Sequence, residues 1–431
     1  MNYSLAKKFT FGSLMMFALP TTIMMIFTSL YTIIDGVFVS RFVGTNALSS
    51  INIVYPAINI VLGIAVMFST GSCAIVAKKM GEGKAEEARA AFTSIIYLNI
   101  IVGAVTAVLG NLFAAPIVRL LGASDLLMSD CITYMRWQMA FAPALMLQIL
   151  FQMYFITEGR PGLGLFLTIL AGLSNAVLDY ILIVPLKLGV AGAAIATVIG
   201  YMIPAVFGLI YFAFSRKALW LVKPRLSAAE LKETLINGSS EMVTNLSSGI
   251  ITFLFNLLMM HYAGEDGVAA ITIIQYSQFL LNALYMGFSQ GVSPVISYNY
   301  GARKVPRVRR AIRFMTQLGF GYTLLIWGLI SLFPALFIQI FNHDPELLSA
   351  AVPSLHIYFF GFVMMAFQFA GQSVFKSLNK AKHAVFFSLL RKAFIVVPLT
   401  LLLPYVGGLG VNGVFLAEPI SNLIGGPACY I

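Results

Sequence analysis

The chain has 431 residues, of which 59% are hydrophobic and 10% charged, with a mean hydropathy of +0.90 and a net charge of +11. That balance excludes a soluble globular protein. The positive charge does not read as a nucleic-acid surface, because the basic residues are sorted between long apolar stretches.

Crossing a bilayer takes about 20 predominantly apolar residues. Twelve stretches meet that need: 12–39, 47–75, 89–113, 130–156, 162–185, 190–214, 234–262, 268–296, 310–338, 350–375, 383–404 and 409–431. Their hydrophobicity is continuous rather than alternating, which predicts helices and not a β-barrel. The expected class is an all-α integral membrane protein, with twelve transmembrane helices in two pseudo-symmetric six-helix bundles.

The first stretch runs on to Arg41 without a small-residue cleavage site, so it reads as a retained helix rather than a signal peptide. It carries Pro20, expected as a moving kink, and Asp35 near its far end. Span 2 leads into "MGEGKAEEA", which resembles a phosphate loop but lacks the Ser or Thr after Lys84. Span 4 carries Tyr134, span 5 carries Asn175 and Asp179, and span 6 carries Thr197. Counted from the helix ends at about 1.5 Å per residue, these side chains share one layer near the outer surface. Asn175 and Asp179 stand at i and i+4, on one face.

Ser215–Glu233 is the longest polar connection. It divides the chain into an N-terminal lobe (1–215), a cytoplasmic linker (216–233) and a C-terminal lobe (234–431). Span 7 carries Glu241, expected as a charge at the cytoplasmic end. Span 8 carries Gln275, Gln278 and Asn282, and span 10 carries Gln368. Lys376 is expected to snorkel to the inner surface. Span 12 carries Glu418, directly before Pro419. These second-half residues are expected as substrate contacts or structural polar points.

Of the 27 Lys and Arg, 23 precede span 1 or are assigned to the even-numbered loops, Arg391 and Lys392 among them. Arg41, Arg119, Arg136 and Lys187 fall on the other side. The positive-inside rule then puts both termini in the cytoplasm of a bacterial inner membrane.

The two halves repeat at a spacing of about 220 residues. Phe68-Ser69-x-Gly71 returns as Phe288-Ser289-x-Gly291, and Gly81 and Lys84 return as Gly301 and Lys304. Leu188-Gly189-Val190-x-Gly192 returns as Leu409-Gly410-Val411-x-Gly413, and Thr197 falls on Glu418. A parallel repeat of this kind suits two lobes that rock about a central cavity.

Intramembrane acids mark ion or proton paths. Two carboxylates, an amide and two hydroxyls make an all-oxygen set, so Asp35, Asn175, Asp179, Tyr134 and Thr197 are the expected cation or proton site. Na⁺ would lie at Asp35, Asn175, Asp179 and Thr197. The Met and Phe clusters suit a soft cavity for organic compounds. Cys73, Cys131 and Cys429 form no disulfide framework. His261, His343, His356 and His383 have no metal-ligand spacing. No cofactor is expected, and the coupling ion would be Na⁺ or H⁺.

These residues resemble the multidrug and toxic compound extrusion (MATE) family, over essentially the whole chain. The marks are Asp35-Gly36…Arg41-x-x-Gly44, the repeated GEGK and GARK loops, the repeated LGVxG entries and the first-lobe polar set. The resemblance is closest to the bacterial branch related to MepA and DinF. It implies a non-enzymatic, monomeric antiporter exporting drugs or organic, largely cationic compounds, and so a role in antibiotic resistance. A flippase for lipid-linked substrates of the same superfamily is the alternative. It would want a basic groove, and the spans are expected to hold few buried Arg or Lys.

Overall fold

Thr10 sets the start of the first helix. Its side chain accepts from Ser13 N at 3.3 Å while Ser13 Oγ accepts from Thr10 N at 2.8 Å, a capping box that satisfies two end donors. In the computed structural model, residues 4–225, 227–339 and 345–430 are described, so His343 lies outside them.

The helices, in chain order, are α1 (Phe11–Phe42), α2 (Thr45–Gly81), α3 (Ala85–Leu112), α4 (Ala114–Leu120), α5 (Met128–Ala140), α6 (Ala142–Thr157), α7 (Pro161–Ile183) and α8 (Gly189–Phe214). The second half continues with α9 (Ala228–Gly301), α10 (Val305–Leu332), α11 (Pro334–Gln339), α12 (Pro345–Phe359), α13 (Met365–Ser377), α14 (Ala381–Leu389), α15 (Val397–Leu402) and α16 (Val411–Tyr430). There is no strand among the described residues.

Among the described residues, nine helices are long and apolar enough to cross a membrane, and the bent pair α5–α6 makes a tenth. The stretch 265–301 of α9 and the helix α16 complete the twelve spans expected from sequence. Several spans are less regular than their hydrophobicity suggested. Span 4 is broken by 54° between α5 and α6, where Pro143 cannot supply a backbone donor. Spans 7 and 8 run together as α9, interrupted at Gly264, whose φ of 63° and ψ of −151° suit only glycine. Span 11 passes through a π-helical segment, Leu390–Val396, between α14 and α15. The helix α1 runs unbroken through Pro20.

Glycines set how closely the halves approach. A Cβ on Gly71 would strike the Thr234 backbone, and Gly238 N would stand 3.0 Å from it. A Cβ on Gly238 would strike the Met67 backbone. The same arrangement recurs one repeat further on, where Gly291 meets Ala18 and Gly287 meets Thr21 and Thr22. Gly81 sits against the Tyr298 carbonyl and Gly301 against that of Lys78. All these contacts lie toward the end that carries Lys78, Lys79, Arg303 and Lys304. Toward the other end, Gly249 meets only the Asn59 amide, at an ordinary 3.8 Å. The two halves thus close tightly at the basic end.

The polar segment after α8 folds back onto the first half. Arg89 lies 3.4 Å over the Trp220 ring and donates to Ala218 O at 3.1 Å. Val222 N donates to Thr93 Oγ1 at 3.1 Å. The helix α9 then begins with a second capping box, between Ser227 and Glu230, and Glu230 also pairs with Lys79 of α2.

Candidate functional site: an acidic cluster in the first half

Four helices bring the first-half polar residues together. Asn175 and Asp179 are almost wholly buried on α7, at 1% and 2% exposure. With the amide oriented to satisfy both neighbours, Asn175 Nδ2 donates to Asp179 Oδ2 at 3.1 Å and its oxygen accepts from Thr197 N at 3.2 Å. Close packing of α7 on α8 makes this possible, since Gly200 lets the Asn175 Cβ approach to 3.5 Å of where its own Cβ would be. Asp35 of α1 is half-buried and lies close to Asp179. One oxygen of each, Oδ1 of Asp35 and Oδ1 of Asp179, is buried with no protein donor. Buried polar atoms of this kind need an outside partner: a proton, a cation or a water.

Tyr134 is buried beside both acids. Thr197 takes part differently from expectation. Its hydroxyl donates back to Ala193 O at 2.9 Å, so its backbone N–H, rather than its hydroxyl, faces Asn175. Two further tyrosines, absent from the expected set, stand in the cluster. Tyr31 is near Asp35, Asp179, Tyr134 and Tyr201, and Tyr201 is near Asp35. Each is one helical turn from an expected residue, Tyr31 before Asp35 and Tyr201 after Thr197, and that i, i+4 spacing is the signal that could have found them. Gln138, one turn after Tyr134, is buried with both amide atoms unbonded.

Among the described residues, the second half forms no matching cluster of acids. Glu418 is buried in an ion pair with Arg391, and Lys392 Nζ stands 3.5 Å from the same oxygen. Arg391 Nε also donates to Ser421 Oγ at 3.2 Å. This corrects the assignment of Arg391 and Lys392 to a cytoplasmic loop. Both lie inside span 11, in the π-helical segment. Arg391 and Lys392 are among the few bases that the spans bury. Lys376 does not snorkel but pairs with Glu241, which is therefore bound to a base rather than a free end charge. Gln278 accepts from Tyr358 Oη at 2.6 Å. Gln368 is buried with its side-chain oxygen unbonded. Gln275 and Asn282 are half-buried. Among the described residues, no group of three or more His, Cys, Asp or Glu has the geometry of a metal centre.

The geometry has clear counterparts. The MatE family model matches residues 20–181 and 242–402. The FAD transporter of Shewanella oneidensis is 23% identical over 410 residues, covering 93% of this chain and 89% of that protein. The multidrug export protein MepA of Staphylococcus aureus is 22% identical over 431 residues, covering 98% of this chain and 94% of its own. Among solved structures, MATE in complex with MaL6 superposes with a TM-score of 0.92 at 21% identity, over 98% of this chain and 95% of that one. The outward-facing conformation of a multidrug resistance MATE transporter gives 0.92 at 21% identity, over 99% and 96%. At such identity, the superpositions establish the twelve-helix fold.

Proposed function

The chain belongs to the MatE family, and from that premise we propose that it exports organic compounds, cationic amphiphiles among them, in exchange for Na⁺ or H⁺. It is a transporter rather than an enzyme. Relatives named for multidrug export and for FAD transport span nearly their whole length with it, which supports efflux as the activity. The proposed setting is a bacterial inner membrane, with both termini and the basic end in the cytoplasm. Residues 1–215 and 234–431 act as the two moving lobes, joined by 216–233, and the protein works as a monomer.

One observation carries the coupling: Asp35 and Asp179 face each other inside the span layer, each with a buried oxygen lacking a donor. A cation or proton arriving from outside satisfies those oxygens. Asn175, Tyr134 and the Thr197 backbone hold the acids in place. Because α1 also packs on the second half through Leu14 and Ala18, occupancy at Asp35 reaches the surface between the lobes. Drug and ion need only favour different states of the pair of lobes for exchange to follow.

The test is efflux of a cationic dye from proteoliposomes with Na⁺ and pH gradients imposed separately. One gradient should drive export in the parent and fail in Asp35→Asn. Export that ignores both gradients would sink the antiport reading. A flippase of lipid-linked substrates stays as the second reading because Arg391 and Lys392 are buried in the span layer. Movement of a labelled lipid in the same vesicles, without dye export, would favour it.

A further inference from the structure

Among the described residues, one centre in the second half holds an odd number of buried charges. Arg391, Lys392 and Glu418 lie together at side-chain exposures of 6%, 13% and 2%, two bases against one acid. An unpaired charge away from water costs several kcal/mol, so intramembrane charges are balanced or are exposed to a pathway. Among the described residues, Glu418 is the acid bonded to either base.

The local backbone is unusual as well. Both bases stand in the π-helical segment Leu390–Val396. Such a segment interrupts the regular ladder and is frequent at functional sites. Here it turns two adjacent bases toward the same carboxylate.

The centre is not isolated from the basic end. Asn237 Nδ2 donates to Lys376 O and to Asn379 Oδ1, both at 3.1 Å. Next along the span come the Lys376–Glu241 pair and then Ser388, which lies 3.1 Å from Gln372 Nε2 and 3.4 Å from Thr244 Oγ1. The Arg391–Glu418–Lys392 group follows. Polar contacts thus recur along these helices between the basic end and the centre. In the same half Tyr358 donates to Gln278, and Phe255, Phe359 and Phe415 are buried in the hydrophobic core.

We propose that this centre is an anion-recognition site, where Arg391 and Lys392 receive the carboxylate or sulfonate of a soluble aromatic substrate. This goes beyond the export of cations and rests on the reading of the chain as an exporter. Arg391 keeps its bond to Ser421 and to Glu418, and its fork suits a bidentate oxyanion. Lys392, held less closely by Glu418, supplies the uncompensated charge. The first-half cluster is thus acidic and this second-half centre net basic.

Two dyes with one xanthene scaffold and opposite charge test this: rhodamine 6G, a cation, and fluorescein, an anion at neutral pH. Both are loaded into proteoliposomes of zwitterionic lipid, under whichever gradient drives export. The parent should export both. Lys392→Met should lower the ratio of fluorescein to rhodamine export about tenfold, as expected for the loss of one bond to a charged group. Lys392→Arg should restore the ratio, which a merely structural role for Lys392 would not require. Export of rhodamine but never fluorescein by the parent overturns the anion site and leaves the exporter standing, as does an equal fall of both dyes in Lys392→Met. Export of neither by folded, inserted parent protein overturns the exporter reading itself.

Discussion

Asn175 Nδ2 lies 3.1 Å from Asp179 Oδ2, one turn apart on the same helix, and the Asn175 oxygen faces the backbone of Thr197. Asn175 therefore ties the acid to the next helix and leaves the other Asp179 oxygen free for a guest. Asn175→Ala removes this tie and leaves Asp179 intact. The expected outcome is an approximately tenfold weaker apparent affinity for the coupling ion, the worth of one bond to a charged group, with near-parent export at saturating ion. Titration of dye export against the driving ion checks it. An unchanged half-saturation point would remove Asn175 from the site.

The glycine contacts make a sharper statement about conformation. A Cβ on Gly238 would collide with the Met67 backbone, which cannot rotate away. Gly238→Ala should therefore open the basic end, at a cost of about 1–3 kcal/mol to the closed arrangement. Gly249→Ala, with Asn59 at 3.8 Å, should leave it closed. The three native cysteines are buried, so a cysteine introduced at Thr234 reports on the seam. Faster maleimide labelling in Gly238→Ala than in Gly249→Ala is the expected result, and equal labelling would show that the seam is not set by this contact.

How much of this was legible in the sequence follows from what each residue needs. Asp35, Asn175 and Asp179 stood out because polar groups in apolar spans require partners, and helical spacing put two of them on one face. The twelve spans followed from hydrophobicity alone. Tyr31 and Tyr201 did not stand out, since a tyrosine in an apolar helix is unremarkable until its neighbours are known. Arg391 and Lys392 fall within the apolar stretch 383–404 and were nonetheless assigned to a loop because bases are rare inside spans, and a π-helical segment leaves no clear periodic trace. The repeat revealed Gly71 and Gly291 as equivalent, but only packing shows that Gly71 meets Gly238.

Lys376 and Glu241 pair at side-chain exposures of 17% and 15%. Removing one partner strands the other charge, which costs about 3–5 kcal/mol for a buried pair, while replacing both is often neutral. Lys376→Met alone should lower the thermal midpoint in detergent, and Lys376→Met with Glu241→Gln should recover most of it. A double variant as unstable as the single one would mean that Lys376 acts through packing rather than charge.

Glu158 lies in the turn between α6 and α7, 5% exposed, and accepts from Tyr211 Oη at 2.8 Å. Burial pushes its carboxyl from an ordinary 4.5 up to about 7, although the Tyr211 hydroxyl, Arg160 and the Leu219 backbone pull it down. The folded protein therefore holds a proton that the unfolded chain gives up. The stabilisation is complete below pH 4.5 and is lost as pH rises through about 7. Leu219 belongs to the segment that Arg89 and Thr93 hold against the first half, so ionised Glu158 strains that attachment. The parent's thermal midpoint should fall between about pH 5 and pH 8, and Glu158→Gln should escape that part of the fall, by on the order of 1–3 kcal/mol at the upper end. Hydrogen-exchange protection at Leu219–Val222, measured relative to the intrinsic rate at each pH, should fall over the same range in the parent only. Parallel pH profiles in parent and variant would show that this carboxyl does not hold the proton.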